Sequence, residues 1–170
     1  MKKNLEKHLV NEVSWDDLYM TMVYLMSRKS KDESTHVGAV IVGSNNEVRS
    51  AGFNGMPMGV NDDILERQDR PEKYYWMEHA ERNAIFLSNS PVRNCRMYTN
   101  GIPCADCARA IIQAGIVEVI VDKVWDDNNY DMWKEDAKRS RVMFSEAGVK
   151  LRFWDGDFLD VSRFRRGEKF

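Results

Sequence analysis

The sequence has few cysteines, no long uncharged apolar run and no excess of positive charge. Its 170 residues include three cysteines and no apolar stretch long enough to span a bilayer. An odd number of cysteines without a secretion-type leader disfavours a disulfide framework and favours metal-binding or free thiols. We therefore expect a cytoplasmic protein without a membrane partner.

The charge balance also limits the class of partner. Lys and Arg total 25 and Asp and Glu total 27, which gives a formal net charge of -2. Because proteins that bind nucleic acids usually present a basic surface, no nucleic-acid partner is predicted. A small anionic substrate needs only a local basic pocket and stays compatible with this composition.

The length predicts one domain over 1–170, with a core over about 14–153 and a tail over 154–170. Hydrophobic periodicity predicts the order α-β-β-α-β-α-β-α-β, hence a three-layer α/β/α fold with a central five-stranded mixed sheet. The charged segment 61–73 has little periodicity and is predicted to be a surface insertion. The predicted helices begin near Ser14, His79, Pro103 and Asp131, and the predicted strands are 37–42, 48–53, 96–99, 117–121 and 149–153.

Two short motifs at predicted helix starts contain metal-ligand residues. The first is His79-Ala80-Glu81, and the second is a Pro-Cys-x-x-Cys motif that contains Cys104 and Cys107. Cysteines three residues apart at a helix start can chelate zinc through their thiolates. One His and two Cys leave a fourth position for water, which is typical of a catalytic zinc site.

Glu81 follows the predicted ligand His79 by two residues, so it can transfer protons without binding the metal. A C-x-x-C pair alone would also fit a redox pair or half of a structural zinc site. The complete pattern H-x-E…P-C-x-x-C is the signature of zinc nucleobase deaminases. We therefore predict hydrolytic loss of an exocyclic amine, with Glu81 as the catalytic acid and base.

The remaining candidate residues have simpler predicted roles. A histidine before a strand, a lone cysteine and an aromatic cluster are usually structural. We predict a solvated His8, a structural His36, a buried thiol at Cys95, and packing roles for Tyr74, Tyr75 and Trp76.

Four segments together resemble a known family. They are RKSKDESTHVGAVIV, GFNGMPMGVNDD, HAERNAI and PCADCARAIIQAGIVEVIV, and the likeness extends over about 14–153. They resemble the deoxycytidylate (dCMP) deaminases of the cytidine deaminase superfamily. The resemblance implies a cytidine deaminase-like fold, one catalytic Zn²⁺ per subunit, and conversion of dCMP to dUMP and ammonia for thymidylate synthesis.

The resemblance also suggests residues that contact the substrate. Asn54 matches a family asparagine that contacts the nucleotide, although an Asn-Gly pair is also a common turn. Arg28 is predicted to bind the 5′-phosphate, because a guanidinium can form paired bonds to phosphate. It would equally suit a solvated helix end. Ala80, Ile102 and Pro103 are predicted beside the substrate.

Regulation and assembly are further implications of the resemblance. Family members are homo-oligomers, which predicts a hexamer or dimer here, with dCTP as activator, bound with Mg²⁺, and dTTP as inhibitor. The matching loop contains Gly55, Asp62 and Asp63.

Some positions differ from the family pattern and leave alternatives open. Arg82 and the Trp- and Asp-rich segment 124–133 replace the usual residues, and the latter region helps to hold the nucleotide in relatives. CMP, dCTP or deoxycytidine are therefore alternative substrates. A non-catalytic zinc module is the alternative of another class, and the presence of Glu81 argues against it.

Overall fold

A five-stranded sheet forms the centre of the computed structural model, which describes residues 13–128, 131–160, 164–165 and 168–169. Its strands are β1 Gly38–Val42, β2 Val48–Phe53, β3 Arg96–Thr99, β4 Glu118–Asp122 and β5 Lys150–Trp154. The order is β2-β1-β3-β4-β5. β1 is antiparallel to β2 and β3, whereas β3, β4 and β5 are parallel. The predicted mixed sheet is confirmed, and each strand lies within one residue of its predicted range.

Helices connect and cover these strands. Ser14 caps the first of them, because its Oγ accepts a hydrogen bond of 3.0 Å from the Asp17 backbone N–H. None of the helices in the described ranges combines the length and apolar character needed to cross a membrane. The helices are α1 Trp15–Ser27, α2 Lys73–Trp76, α3 Ala80–Phe86, α4 Ala105–Ala114, α5 Lys123–Asp127 and α6 Asp131–Ala147.

Both faces of the sheet are buried, as the alternation of side chains in β1 demonstrates. Val40 and Val42 pack in an apolar cluster with residues of α1. Ala39 and Ile41 belong to a second cluster with residues of α3, α4 and α6. Every residue of β1 is buried. The two clusters confirm the three-layer α/β/α arrangement.

Gly52 in β2 lets α3 approach the sheet closely. A Cβ atom at this position would lie 2.5 Å from the Ala84 nitrogen and 2.6 Å from the Ala80 oxygen. Only glycine fits here without displacing the helix, so Gly52 allows the backbone of α3 to pack directly against β2. Gly115 ends α4 with a positive φ of 78°, a conformation that glycine adopts at little cost.

The prediction of a surface insertion over 61–73 is wrong at its C-terminal end. Lys73 is buried, begins α2 and forms an ion pair with Asp32, whose side chain is also buried. Charge normally indicates exposure, but here the compensating carboxylate comes from a segment 41 residues away. Sequence analysis also omitted α5 and the small antiparallel pair β6 Phe164–Arg165 and β7 Glu168–Lys169.

Candidate metal centre and active-site cavity

The two predicted ligand motifs lie at the starts of α3 and α4. His79 and Cys104 are the N-cap residues of these helices, with extended backbone, and Cys107 lies in the first turn of α4. Gly55 and Glu78 form an antiparallel bridge with hydrogen bonds of 3.0 and 2.8 Å. This bridge fixes the residue that directly precedes His79.

The three ligand side chains meet at distances that suit zinc. His79 Nδ1 lies 3.4 Å from Cys104 Sγ and 3.5 Å from Cys107 Sγ. All three ligand atoms lie within 4.8 Å of one another. Zinc bonds of about 2.3 Å to sulfur and about 2.0 Å to nitrogen, at a tetrahedral angle, separate the two atoms by about 3.5 Å. These three residues therefore fit a zinc ion.

The protonation of these side chains reflects their mutual contacts. A hydrogen bond from Cys107, with another from His79, lowers the pKa of Cys104 to about 4. The same contact with Cys104, together with burial, raises the pKa of Cys107. The hydrogen bond to Cys104 raises the pKa of His79 to about 8. Zinc binds thiolates and neutral imidazole, so binding by these three residues is expected to release protons and to weaken at low pH.

Glu81 lies beside the ligands without replacing one of them. Its side chain is buried, and its Oε2 lies 3.6 Å from Cys107 Sγ. Burial raises the pKa of this carboxyl group. A buried carboxylate with a raised pKa next to a metal position is suited to accept and return protons.

A cavity of about 670 Å³ reaches His79, Glu81 and Cys104. Its volume is within the range of sites that bind small molecules. The segment after α1, residues around α2, the approach to α4, and side chains of the segment 124–133 form its wall. Trp133 belongs to this last group and packs edge-on against His79, with ring centroids 6.3 Å apart.

Comparison with known proteins agrees with this geometry. The family model described as the cytidine and deoxycytidylate deaminase zinc-binding region matches residues 13–123. The human protein named deoxycytidylate deaminase is 40% identical over 146 residues, which covers 82% of this chain and 79% of the relative. The chain belongs to the cytidine and deoxycytidylate deaminase family. A protein of Aliivibrio fischeri, named only as an uncharacterized deaminase, is 38% identical over 145 residues and covers 85% of this chain and 97% of its own.

Solved structures give the same fold for this family member. The dCMP deaminase of cyanophage S-TIM5, in complex with dCMP and dUMP, superposes with a TM-score of 0.64. The match covers 91% of this chain and 99% of the phage protein at 23% identity. At that identity the comparison supports the predicted cytidine deaminase-like fold.

The predicted substrate residues of this family member divide into two groups. Asn54, Ala80 and Ile102 line the cavity, whereas Pro103 is buried and Arg28 is exposed at the end of α1. Neither Pro103 nor Arg28 is among the lining residues. The structure therefore brings three of the five predicted residues together with the metal ligands.

Asn54 already makes several hydrogen bonds to the protein. Its Oδ1 accepts from the Val37 backbone N–H at 2.8 Å, and its Nδ2 donates to Thr35 O at 2.9 Å and Asp32 Oδ2 at 3.3 Å. These contacts fix the orientation of the amide and use both of its donors. The second lone pair of Oδ1 is left for a ligand.

The predicted allosteric residues lie in different surroundings. Asp62 and Asp63 lie 2.8 and 4.0 Å from Lys31 Nζ in an exposed charge cluster. Gly55 forms the bridge to Glu78 described above. Their regulatory role stays a prediction.

Arg82 connects the two helix starts. Its Nε donates to Glu78 Oε1, and its Nη1 lies 3.6 Å from Asp106 Oδ2. Glu78 also accepts from the His79 backbone N–H at 2.9 Å. The Arg82 side chain therefore links the segment before His79 to Asp106, one of the two residues between the cysteines.

The other candidate residues only partly follow the predictions. Cys95 is buried, as predicted, and burial raises the pKa of its thiol. His36 is exposed and lines the cavity, so a purely structural role does not describe its position.

The predicted aromatic cluster is only partly packed. Tyr74 packs edge-on against Trp133, whereas Tyr75 is 81% exposed. The Arg67 guanidinium lies 4.0 Å from the Trp76 ring centroid. His8 lies outside the described residues.

Asp32 organises the segment that forms one wall of the cavity. Both of its oxygens accept from Lys73 Nζ at 2.8 Å, and Oδ1 also accepts from the Ser34 backbone N–H and hydroxyl. Burial opposes its ionisation, yet the hydrogen bonds from Lys73 and Ser34 outweigh this and lower the pKa of Asp32. Sequence analysis missed Asp32 and Lys73, because no local pattern indicates a pair so distant in the chain.

Replacing Lys73 by methionine is expected to destabilise the fold strongly. The Lys73→Met variant leaves the buried Asp32 carboxylate without its cation, which lowers the free energy of unfolding by about 3–5 kcal/mol. Urea denaturation followed by circular dichroism measures this loss. The matched control is Lys31→Met, whose ammonium pairs with Asp62 on the surface with 64% of the side chain exposed, so little change is expected. Equal, small losses for both variants would contradict the buried pair as a stabilising contact.

Proposed function

We propose that this protein removes the 4-amino group of dCMP by zinc-dependent hydrolysis, and so supplies dUMP for thymidylate synthesis. The observation that carries the proposal is the cluster of His79, Cys104 and Cys107, with Glu81 buried beside it on a cavity wall. The choice of dCMP is supported by the human relative, which is named deoxycytidylate deaminase.

Proton transfer by Glu81 is the central contribution of the chain. A zinc ion held by His79, Cys104 and Cys107 would lower the pKa of a water molecule to about 7. Glu81 receives both protons of the attacking water in turn. It delivers one to N3 of the base, where it remains in the uracil product, and one to the amino group, which leaves as ammonia.

Other residues are proposed to orient the nucleotide. Asn54 would offer the remaining lone pair of its fixed amide, and backbone groups of Ala80 and Ile102 on the cavity wall would contact the base. Pro103, which follows Ile102 but does not line the cavity, would act through the position of its neighbours. Trp133 and Tyr74 supply apolar wall near the His79 ring and limit the access of water.

The proposal also includes assembly and regulation. We expect a homo-oligomer, activated by dCTP with Mg²⁺ and inhibited by dTTP, with Gly55, Asp62 and Asp63 in the responding loop. A cytoplasmic location likewise stays a prediction.

A substrate panel tests the proposed function. Zinc-loaded protein is incubated with dCMP, CMP, dCTP and deoxycytidine, each with and without dCTP or dTTP as effector, and ammonia release is measured. We expect the highest kcat/KM for dCMP. A higher kcat/KM for another compound would make that compound the substrate in place of dCMP. No turnover of any cytosine compound would favour a non-catalytic zinc module.

A further inference from the structure

The cationic or basic side chains on the cavity wall are those of His36, Arg70, Lys73 and His79, and two of them, Lys73 and His79, are already engaged. The Lys73 ammonium donates to both Asp32 oxygens and to Ser34 Oγ, which occupies its three hydrogens. His79 contacts the two cysteine ligands. Arg70 also lines the cavity, and its exposed side chain forms no ion pair or hydrogen bond with any residue that the structure describes. The Arg70 guanidinium is therefore free to bind a ligand.

The backbone around Arg70 is nevertheless firmly held. The Lys73 backbone N–H donates to Asp69 O at 2.8 Å and closes a turn that contains Arg70. The Tyr74 N–H donates to Pro71 O at 3.1 Å within the same turn. Because the Lys73 side chain is anchored on Asp32, this turn is attached to the opposite segment of the wall. A fixed backbone with a free guanidinium is well suited to ligand recognition.

We infer that Arg70 binds the 5′-phosphate of a nucleoside monophosphate substrate, an inference that rests on the proposed deaminase function. A guanidinium can form two parallel charge-assisted hydrogen bonds to phosphate oxygens. The anionic side chains of the wall do not neutralise Arg70, since Asp32 is paired with Lys73 and Glu81 lies beside Cys107. Glu33, the other carboxylate on the wall, forms no ion pair with Arg70.

Arg28 is the rival assignment, because sequence analysis predicted it as the phosphate ligand. Arg28 is exposed and is not among the residues that line the cavity. Substituting Arg28 and Arg70 separately therefore tests which of them binds the phosphate. Arg93, which is exposed and is not a lining residue, serves as a control for the loss of one surface arginine.

The test compares kcat/KM for dCMP and for deoxycytidine in zinc-loaded wild-type protein and three variants, Arg70→Gln, Arg28→Gln and Arg93→Gln. Losing a charge-assisted phosphate contact is expected to lower kcat/KM for dCMP about 10- to 100-fold in Arg70→Gln, mainly through KM. Deoxycytidine, which has no phosphate, should be processed with the same kcat/KM as by wild-type protein. Arg70→Lys should recover part of the loss, and Arg93→Gln should behave as wild type.

Three outcomes would overturn the assignment. These are an unchanged kcat/KM for dCMP in Arg70→Gln, an equal loss for dCMP and deoxycytidine, or a larger loss in Arg28→Gln than in Arg70→Gln. Calorimetric binding of dUMP against deoxyuridine separates this inference from the function itself. If wild-type protein turns over no cytosine compound, the proposed function fails. If Arg70→Gln then still lowers the affinity for dUMP, the phosphate site stands. If Arg70→Gln leaves the affinity for dUMP unchanged, the phosphate site is overturned.

Discussion

Replacing Glu81 by glutamine is expected to lower kcat by about 10²- to 10⁴-fold, the range typical of a lost general acid and base. Glutamine keeps the size and hydrogen-bonding shape of the side chain but cannot accept a proton. Glu81 is 5% exposed and is not one of the three clustered ligand residues, so the variant should still bind zinc. Steady-state kinetics with dCMP and the zinc-to-protein ratio together measure the effect.

The control for this variant is Glu146→Gln, which changes an exposed carboxylate on α6. It should retain wild-type kcat and zinc content. An unchanged kcat in Glu81→Gln would exclude Glu81 as the proton carrier. Loss of zinc from the same variant would instead show that Glu81 acts on the metal centre.

Replacing Cys107 by serine is expected to abolish both zinc retention and turnover. Cys107 is completely buried, and its sulfur lies 3.5 Å from His79 Nδ1. Disturbing a group that only orients a metal ligand already costs about 10- to 100-fold in metal affinity, so removing a ligand should cost more than about 100-fold. Competition with a chromophoric chelator measures the affinity, and ammonia release measures the turnover.

Cys95→Ala provides the matched control, because Cys95 is also buried but belongs to the apolar core. This variant should keep the zinc affinity and turnover of the wild type, with only a modest loss of stability. Equal zinc affinity in the Cys107→Ser and wild-type proteins would remove Cys107 from the ligand set.

The metal centre could be predicted from sequence because each part of it is local. His79 and Glu81 are separated by one residue, and Cys104 and Cys107 by two, so a helix start fixes each pair. The strands were equally readable, since apolar runs such as Gly38–Val42 are buried on both faces of the sheet. Short-range spacing was therefore sufficient to predict the cluster of ligand residues and the sheet.

The wall of the cavity could not be predicted in the same way. Asp32 and Lys73 each resemble ordinary surface charges until folding brings them together. Similarly, the family resemblance suggested Arg28 as a phosphate ligand, whereas the structure places Arg70, and not Arg28, among the residues that line the cavity. Contacts between distant segments determine which charges remain available to a ligand, and no single segment contains that information.

The Asp32–Lys73 pair has a consequence for how this sequence can diverge. A single substitution at either position leaves a buried, uncompensated group and a loss of about 3–5 kcal/mol, a large fraction of the stability of an ordinary domain. Replacing both side chains together by apolar residues of similar volume avoids that loss. We therefore expect the two positions to change in concert among related sequences, and the turn that contains Arg70 to be inherited with them.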